Sequence, residues 1–451
     1  MFDNILHQDR VLNQLKTDID SGTLAPSILF SGPEYAGKGT AALELARCLC
    51  CEDESNRGRW NCSCPSCLRH RNLVSPDLLL LGKRRFFEEA AAASGAFQRH
   101  PENAGSRMLF VRAVRKLLAR FNEILWEDDP ALGKLKSQIG ALEEELEDFE
   151  ESAEADCCEK IVKKAAKLET EGLGEHIPIA RIRKAAYWGH LAPLGRHKCI
   201  IIEGAENMQE GAKNSLLKIL EEPPPRLTLI LTSAHPMSLL PTMLSRLREY
   251  RFAKRSAKEE ADVISRIFRE DNPEKGIVTE GNSLMQTYLA SFLPVKSETL
   301  YAVGAFCAAS AAAEAVRELR ACGREIPPVL ADLGKFAAPI AEKGGMGRPA
   351  GSVKTALAKV LDAAERFEMP GLFIRFLQQC AALISAWLRN GTEVVYGITD
   401  AACGMEKAVW AGLWRQELER ARVENDLYNI SPPMALERLF EALKTGMVCG
   451  R

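Results

Sequence analysis

The fold of this chain is decided by residues 27–40, which read SILFSGPEYAGKGT. A short apolar strand over Ser27–Phe30 leads into a glycine-rich turn, and a helix is predicted to begin near residue 40. The turn fits the first seven positions of the phosphate-loop (P-loop) motif G-x-x-x-x-G-K-[ST], in the strand and helix context that this motif requires. A purely structural turn is the alternative. The candidate phosphate-binding residues are Gly32, Gly37 and Lys38.

Two positions depart from the pattern of an ATP-hydrolysing site. The eighth motif position should carry a hydroxyl for Mg²⁺, but it is Gly39, and Thr40 points about 100° further around the helix. A second apolar strand, residues 199–202, ends at Glu203, where an ATPase of this class carries an Asp-Glu pair. Glu203 keeps a carboxylate, whereas Gly204 has no side chain that could act as a base. The sequence therefore predicts no ATP hydrolysis and gives no firm basis for ATP or Mg²⁺ binding.

Cysteines are concentrated in one short segment. Six of the 14 fall between residues 48 and 67. In a reducing cytosol such a cluster indicates a metal site before it indicates disulfides. Cys64 and Cys67 have the spacing of a zinc knuckle, and four thiolates can complete a tetrahedral structural Zn²⁺ site. Free or redox-active thiols are the alternative, and Cys48 and Cys50 compete for the place of the first ligand. The predicted ligands are Cys51, Cys62, Cys64 and Cys67.

Length, charge and hydropathy exclude several classes of protein. The 451 residues suffice for about three domains, and the net charge of −2 predicts no polyanion-binding tail. No apolar run approaches the roughly 18 residues of a membrane span. Residues 1–4 lack the features of a signal peptide. These observations predict a cytoplasmic protein with no membrane partner.

The pattern of strands and helices divides the chain into three parts. Up to residue 253, strands alternate with helical segments, which predicts an α/β domain with a parallel sheet. The cysteine module occupies residues 48–70 of this domain. From residue 254 onward the pattern is helical, and a Gly/Pro-rich break at residues 344–349 divides it. We therefore predict two further helical domains, residues 254–345 and 346–451.

Residues 83–175 interrupt the α/β pattern as a charged insert. Apolar residues from Leu132 to Phe149 recur in steps of three and four, which forms a heptad seam, and the outer positions are acidic. A basic stretch follows at residues 160–167. We predict a long antiparallel helical hairpin that projects from the α/β domain. Its charges are explained either by solvation or by a role in docking another protein.

Several motifs together resemble a known family. The chain carries FDNILHQ at residues 2–8, the glycine-rich loop, four cysteines, SPD at 75–77, NSLLKILEEPP at 214–224 and LPTMLSR at 240–246. This order resembles the delta prime family of bacterial DNA polymerase III clamp-loader subunits, which are AAA+ proteins related to the gamma/tau subunits. The resemblance covers residues 1–81 and 176–252. It implies an AAA+ P-loop domain followed by all-α lid and collar domains.

The resemblance also implies a role and partners. A delta prime subunit is a non-hydrolysing stator in a ring that opens the sliding clamp and places it on primed DNA. Its partners would be the gamma/tau and delta subunits, with the clamp contacted indirectly and DNA bound through the assembled ring. Arg246 matches the arginine finger that reaches the ATP site of the neighbouring motor, although Leu247 replaces the usual cysteine. The implied location is the cytoplasmic, nucleoid-associated replisome.

Two other functions compete with the stator. An ATP-hydrolysing subunit of the gamma/tau type would share the glycine-rich loop and the cysteines, but Gly39 and Gly204 argue against it. A zinc-dependent nucleic-acid binder would use basic residues around the cysteines, and those are few. The sequence favours the stator over both.

Overall fold

The computed structural model of the chain describes most of its residues. The described ranges are 1–82, 86–152, 154–174, 176–271, 283–293, 295–346, 369–389, 400–428 and 432–449. They divide into two compact units, one within Met1–Gly276 and Ser283–Leu289 and the other within Ala290–Arg451. The three-domain division predicted from the sequence stays a prediction. Its boundary at 345/346 lies beside residues 347–368, which are outside the described ranges.

A parallel sheet organises the first unit. Within the described residues it has five strands in the order β2-β3-β4-β1-β5, and every neighbouring pair is parallel. This confirms the predicted α/β fold class. The order places β4 between β1 and β3, so the carboxyl ends of these three strands lie side by side. The strands are β1 (Ser27–Ser31), β2 (Leu78–Gly82), β3 (Lys198–Glu203), β4 (Leu227–Ser233) and β5 (Arg248–Arg251).

Helices cover both faces of this sheet. Successive side chains of a strand point to opposite faces, so Ile28 and Leu29 enter two separate cores. Helices α1 and α2 cover one face, and α9 and α10 help to cover the other. The helices of the first unit are α1 (Asp9–Asp20), α2 (Lys38–Leu49), α3 (Pro65–Arg71), α4 (Phe87–Arg99), α5 (Ala104–Leu118), α6 (Glu123–Trp126), α7 (Pro130–Ser152), α8 (Cys157–Gly172), α9 (Ile179–His190), α10 (Glu210–Glu221), α11 (Pro241–Leu244) and α12 (Ala257–Phe268), with most of α13 (Leu284–Ala290).

The insert forms the predicted hairpin, which packs against helices α4 and α5. Helices α7 and α8 pair in antiparallel register, as shown by Lys164 Nζ with Glu145 at 2.5 Å and Gln138 Nε2 with Glu171 at 2.6 Å. The apolar seam of α7 is not presented to solvent. Phe149 packs edge-on against Phe97 of α4 and Phe110 of α5, with both ring centroids 5.1 Å away. The hairpin therefore extends the core of one sheet face instead of projecting alone.

Glu169 of α8 fixes the start of α4. Its buried carboxylate accepts the backbone N–H groups of Phe86 at 2.7 Å and Phe87 at 3.1 Å. These N–H groups lie at a helix N-terminus and have no acceptor within the helix. The contact ties the end of the hairpin to the first insert helix across 83 residues of sequence.

Replacing Glu169 by glutamine is expected to lower the free energy of unfolding by about 1–3 kcal/mol, because a charged acceptor is lost from two buried N–H groups. Urea denaturation measures this change. Glu159→Gln is the matched control, because Glu159 lies exposed on the same helix. A Glu169→Gln variant as stable as that control would contradict the capping role.

The described residues of the second unit form helices joined by turns, with no strand among them. Its core is rich in alanine, leucine and tryptophan side chains contributed by every helix of the unit. The helices are α14 (Ser297–Ala321), α15 (Pro328–Lys343), α16 (Met369–Arg389), α17 (Asp400–Tyr428) and α18 (Pro432–Cys449). This agrees with the helical C-terminal half that the sequence predicts.

One helix contradicts the prediction that no segment is long and apolar enough to span a membrane. By length and composition alone, Glu298–Ala321 could cross a membrane, contrary to the expectation that no apolar run reaches that length. However, 67% of its most apolar window is buried inside the unit. A core helix packed among other helices passes the same compositional test, because it too is apolar on most sides. The helix is weak evidence for a membrane span.

Candidate functional site

The glycine-rich loop lies at the carboxyl end of β1, as the motif requires. Three of its residues have positive φ: Gly32 (137°), Tyr35 (58°) and Gly37 (94°). A side chain at Gly32 would place its Cβ 2.4 Å from the Phe252 carbonyl oxygen. The backbone of the loop therefore passes so close to the backbone of Phe252 that this position needs glycine. The loop is further held by Arg255, whose guanidinium donates to the Tyr35 carbonyl oxygen at 2.6 Å.

Lys38 turns back onto the loop. Its Nζ donates to the carbonyl oxygens of Gly32 at 2.6 Å and Pro33 at 2.5 Å, and the side chain is buried. The ammonium therefore lies inside the turn where a phosphate would be bound. Gly39 follows within α2 and offers no hydroxyl. The geometry is compatible with a phosphate-binding loop that lacks a metal-ligating hydroxyl.

The acidic end of β3, at Glu203, lies at the same edge of the sheet as the glycine-rich loop. Gly32 N donates to Ser233 O at the end of β4, and Gly204 N donates to Thr232 Oγ1, both at 3.2 Å. The loop and the end of β3 are thus joined to β4 from its two sides. The structure therefore brings together the two elements from which an ATPase of this class builds its site.

Glu203 is already engaged by an arginine from the insert. Arg120 Nη2 lies 2.5 Å from Glu203 Oε2, and both side chains are buried. The guanidinium also covers the Phe86 ring at 4.3 Å, and the Arg120 carbonyl accepts the indole N–H of Trp126 at 2.8 Å. A guanidinium on this carboxylate competes directly with a metal ion for the same oxygen.

Gly204 is a poor position for a catalytic base for a second reason. Its φ of 63° lies in the left-handed region that favours glycine. A Cβ there would lie 2.8 Å from Asn207 Nδ2. A glutamate at this position would therefore have a strained backbone and would displace the Asn207 side chain.

The Arg120–Glu203 pair gives a large stability prediction. Arg120→Met is expected to lower the free energy of unfolding by about 3–5 kcal/mol, because removing one member of a buried ion pair leaves the other charge in the core. Urea denaturation measures the change. The double variant Arg120→Met/Glu203→Leu is expected to regain most of the loss, since neither charge then remains. A single variant within about 1 kcal/mol of the original protein would contradict this account.

The four predicted cysteines lie together. The sulfur atoms of Cys51, Cys62, Cys64 and Cys67 are all within 4.8 Å of one another, and three of these residues are buried. Cys64 is the N-cap of α3, and its Sγ accepts the Cys67 backbone N–H at 3.4 Å. Four sulfur donors at the corners of one small volume suit a tetrahedral Zn²⁺ ion, and the group supplies no nitrogen or oxygen ligand.

Cys48 and Cys50, the alternative candidates for the first metal ligand, lie in other surroundings. Cys48 is buried on α2 beside the side chains of Glu44 and Arg47. Cys50 donates from its thiol to the His197 carbonyl oxygen at 3.1 Å. Cys51 is therefore the residue of this segment whose sulfur lies with the other three. Burial raises the pKa of its thiol to about 11, so binding a cation there must displace a proton.

Arg246 lies apart from this edge of the sheet, on the turn after α11. It pairs with Glu221 at the end of α10, with Nη2 and Oε1 2.7 Å apart. Its Nη1 donates to the Thr242 carbonyl oxygen at 2.7 Å. About a third of the Arg246 side chain and half of the Glu221 side chain are exposed. An exposed pair of this kind contributes at most about 1 kcal/mol, so a phosphate could replace Glu221 as its partner.

Sequence reasoning missed the side chains that hold these sites. Arg120, Arg255 and Arg47 carried no motif signal, because each reaches its site through the tertiary fold. Glu221 had a partial signal, since it lies in the NSLLKILEEPP segment, where it marked only a helix end. Arg47 donates a hydrogen bond to Cys67 Sγ. Its place one residue before Cys48 on a helix offered no reason to expect this contact.

Comparisons with known proteins support one family. A family model described as "DNA polymerase III, delta subunit" matches residues 7–125 and 140–256, about half of the chain. DNA polymerase III subunit delta' of Pseudomonas aeruginosa is 40% identical over 80 residues, which are 18% of this chain and 24% of that protein. The match thus spans about a quarter of that relative's length.

A solved structure is also similar. The crystal structure of a DNA polymerase III gamma subunit-related protein from Thermotoga maritima matches with 17% identity and a TM-score of 0.25. The match covers 61% of this chain and 81% of that one. The family match rests on the α/β unit and includes the loop, the cysteine module and the LPTMLSR segment. The family match therefore shows that the chain belongs to the DNA polymerase III delta subunit family.

Proposed function

We propose that this chain is the delta prime subunit of a DNA polymerase III clamp loader and acts as a stator that does not hydrolyse ATP. The observation that carries this proposal is the buried Arg120–Glu203 pair. The carboxylate that would hold Mg²⁺ in an ATPase is here bonded to a guanidinium from the same chain. Gly39 and Gly204 also support the proposal, because neither has a side chain that could bind a metal ion or activate water.

The second part of the proposal concerns Arg246. In the assembled ring, its guanidinium would leave Glu221 and contact the nucleotide held by the neighbouring motor subunit. A planar, permanently charged guanidinium is suited to a γ-phosphate. The weak, exposed pair with Glu221 supports this role. The pair orients the Arg246 side chain, and breaking it costs little free energy.

The partners and location follow from the same proposal. The chain would assemble with gamma/tau and delta subunits, contact the sliding clamp indirectly, and reach primed DNA through the ring, in the cytoplasmic replisome. The four cysteines would hold one structural Zn²⁺, which fixes α3 and the preceding loop to α2. ATP at the glycine-rich loop is not required by this role.

A reconstituted loading assay tests the proposal. The purified chain is mixed with the gamma/tau, delta and clamp proteins of its own organism, and clamp loading onto primed DNA is followed. We expect loading to require the chain, and we expect the chain not to replace gamma/tau as the ATP-hydrolysing subunit. Undiminished loading without the chain, or loading when it replaces gamma/tau, would contradict the stator role.

A further inference from the structure

The cysteine group receives a side-chain hydrogen bond from the helix that follows the glycine-rich loop. Arg47 of α2 donates from Nη1 to Cys67 Sγ at 3.2 Å. The Arg47 side chain is 2% exposed. A guanidinium is permanently charged in proteins, so Arg47 brings a positive charge to one of the four sulfur atoms.

The orientation of this guanidinium is fixed on two sides. Glu44, one turn earlier on α2, accepts Nε at 2.9 Å and Nη2 at 2.5 Å, which is a bidentate arrangement. Nη1 also donates to the Arg59 carbonyl oxygen at 2.9 Å, in the loop between Cys51 and Cys62. The Glu44 fork thus aims Nη1 at both the ligand loop and a ligand sulfur.

We propose that Arg47 is a positioning residue of the metal site, which orients Cys67 and stabilises its metal-bound thiolate through the N–H···S hydrogen bond, with Glu44 holding the guanidinium in place. Residues that bond to metal ligands commonly set metal affinity in this way, and their loss costs 10–100-fold in affinity. The inference rests on the proposed metal site and is independent of the stator role. Arg47 does not bind the metal itself.

A purely structural salt bridge is the competing explanation. Such a pair would stabilise α2 equally with and without metal and would leave the electronic properties of the sulfur atoms unchanged. A positioning role predicts effects on the bound metal. The N–H···S bond withdraws charge from sulfur, so its loss should move the sulfur-to-cobalt charge-transfer band of a Co²⁺-loaded protein to longer wavelength.

The test uses the full chain loaded with Zn²⁺ or Co²⁺ and two kinds of variant. Arg47→Met/Glu44→Leu removes both charges, so no buried carboxylate is left without its partner. Arg47→Lys keeps a charge for Glu44 but replaces the planar fork with a compact ammonium, and it serves if the double variant does not fold. Arg59→Met is the matched control, because it removes an exposed guanidinium and leaves the carbonyl that Arg47 binds.

Metal affinity by chelator competition, the Co²⁺ spectrum and thermal unfolding are measured for each protein. We expect the Arg47 variants to bind metal 10–100-fold more weakly and to show the band at longer wavelength, with Arg59→Met unchanged. Folded Arg47 variants with unaltered affinity and spectrum would overturn the inference. Failure of the original chain to bind one metal ion would overturn it too, and would leave the stator proposal untouched, since no ATP-dependent activity is measured.

Discussion

Under the proposed stator role, replacing Arg246 by alanine is expected to lower ATP hydrolysis at the neighbouring motor site by about 10³–10⁵-fold. The loss arises because the guanidinium stabilises negative charge on the transferring phosphoryl group, and alanine supplies no charge. The measurement is ATP turnover by a ring reconstituted from this chain, the gamma/tau and delta subunits, the clamp and primed DNA.

Two further variants are compared with Arg246→Ala. Arg246→Lys retains a charge but not the planar fork, so it should recover only part of the activity. Arg251→Ala removes an exposed arginine of β5 and should leave turnover unchanged. Turnover unaffected by Arg246→Ala, in a ring that still assembles, would contradict the arginine-finger role proposed for Arg246.

Loss of the metal is expected to destabilise the first unit substantially. At free zinc about 1,000 times Kd, binding contributes about 4 kcal/mol of stability. For a unit of this size, that loss lowers the Tm by roughly 10 °C. Chelation of the native protein and the Cys62→Ser variant should both produce this shift, with one zinc ion lost per chain. Calorimetry and metal analysis measure the two quantities.

A cysteine outside the group provides the control. Cys322 is exposed in the second unit, and Cys322→Ser should change neither zinc content nor Tm. A Cys62→Ser protein that still bound one zinc ion, or a metal-free protein with the Tm of the original, would contradict a structural metal site at this cysteine group.

The sheet was largely predictable because its central strands are continuous apolar runs. β1, β3 and β4 are buried along their whole length, and each run is visible in the sequence. β2 was not predicted, although LLLLG is also an apolar run. β5 was not predicted either: it is an edge strand that reads REYR, and among its four residues only Tyr250 is buried. Strands with one inward side chain carry no apolar run from which a sequence pattern could identify them.

The candidate sites were predictable only as far as they are local in sequence. The glycine-rich loop and the cysteine group each fall within about 20 residues, so motif spacing located them. The Arg120–Glu203 pair joins residues 83 positions apart, and an insert without a motif supplies the arginine. The seam of α7 was visible as a heptad pattern, but its partners on α4 and α5 were not. Contacts of this kind depend on tertiary packing, which spacing alone does not record.

ATP hydrolysis by the purified chain, alone and then mixed with the gamma/tau and delta subunits, the clamp and primed DNA, tests the central claim most directly. The Arg120–Glu203 pair, Gly39 and Gly204 predict no turnover by the chain alone and clear turnover by the complete mixture. Robust turnover by the chain alone, abolished by Lys38→Ala, would contradict the account, because the glycine-rich loop and the end of β3 would then form a working ATPase site.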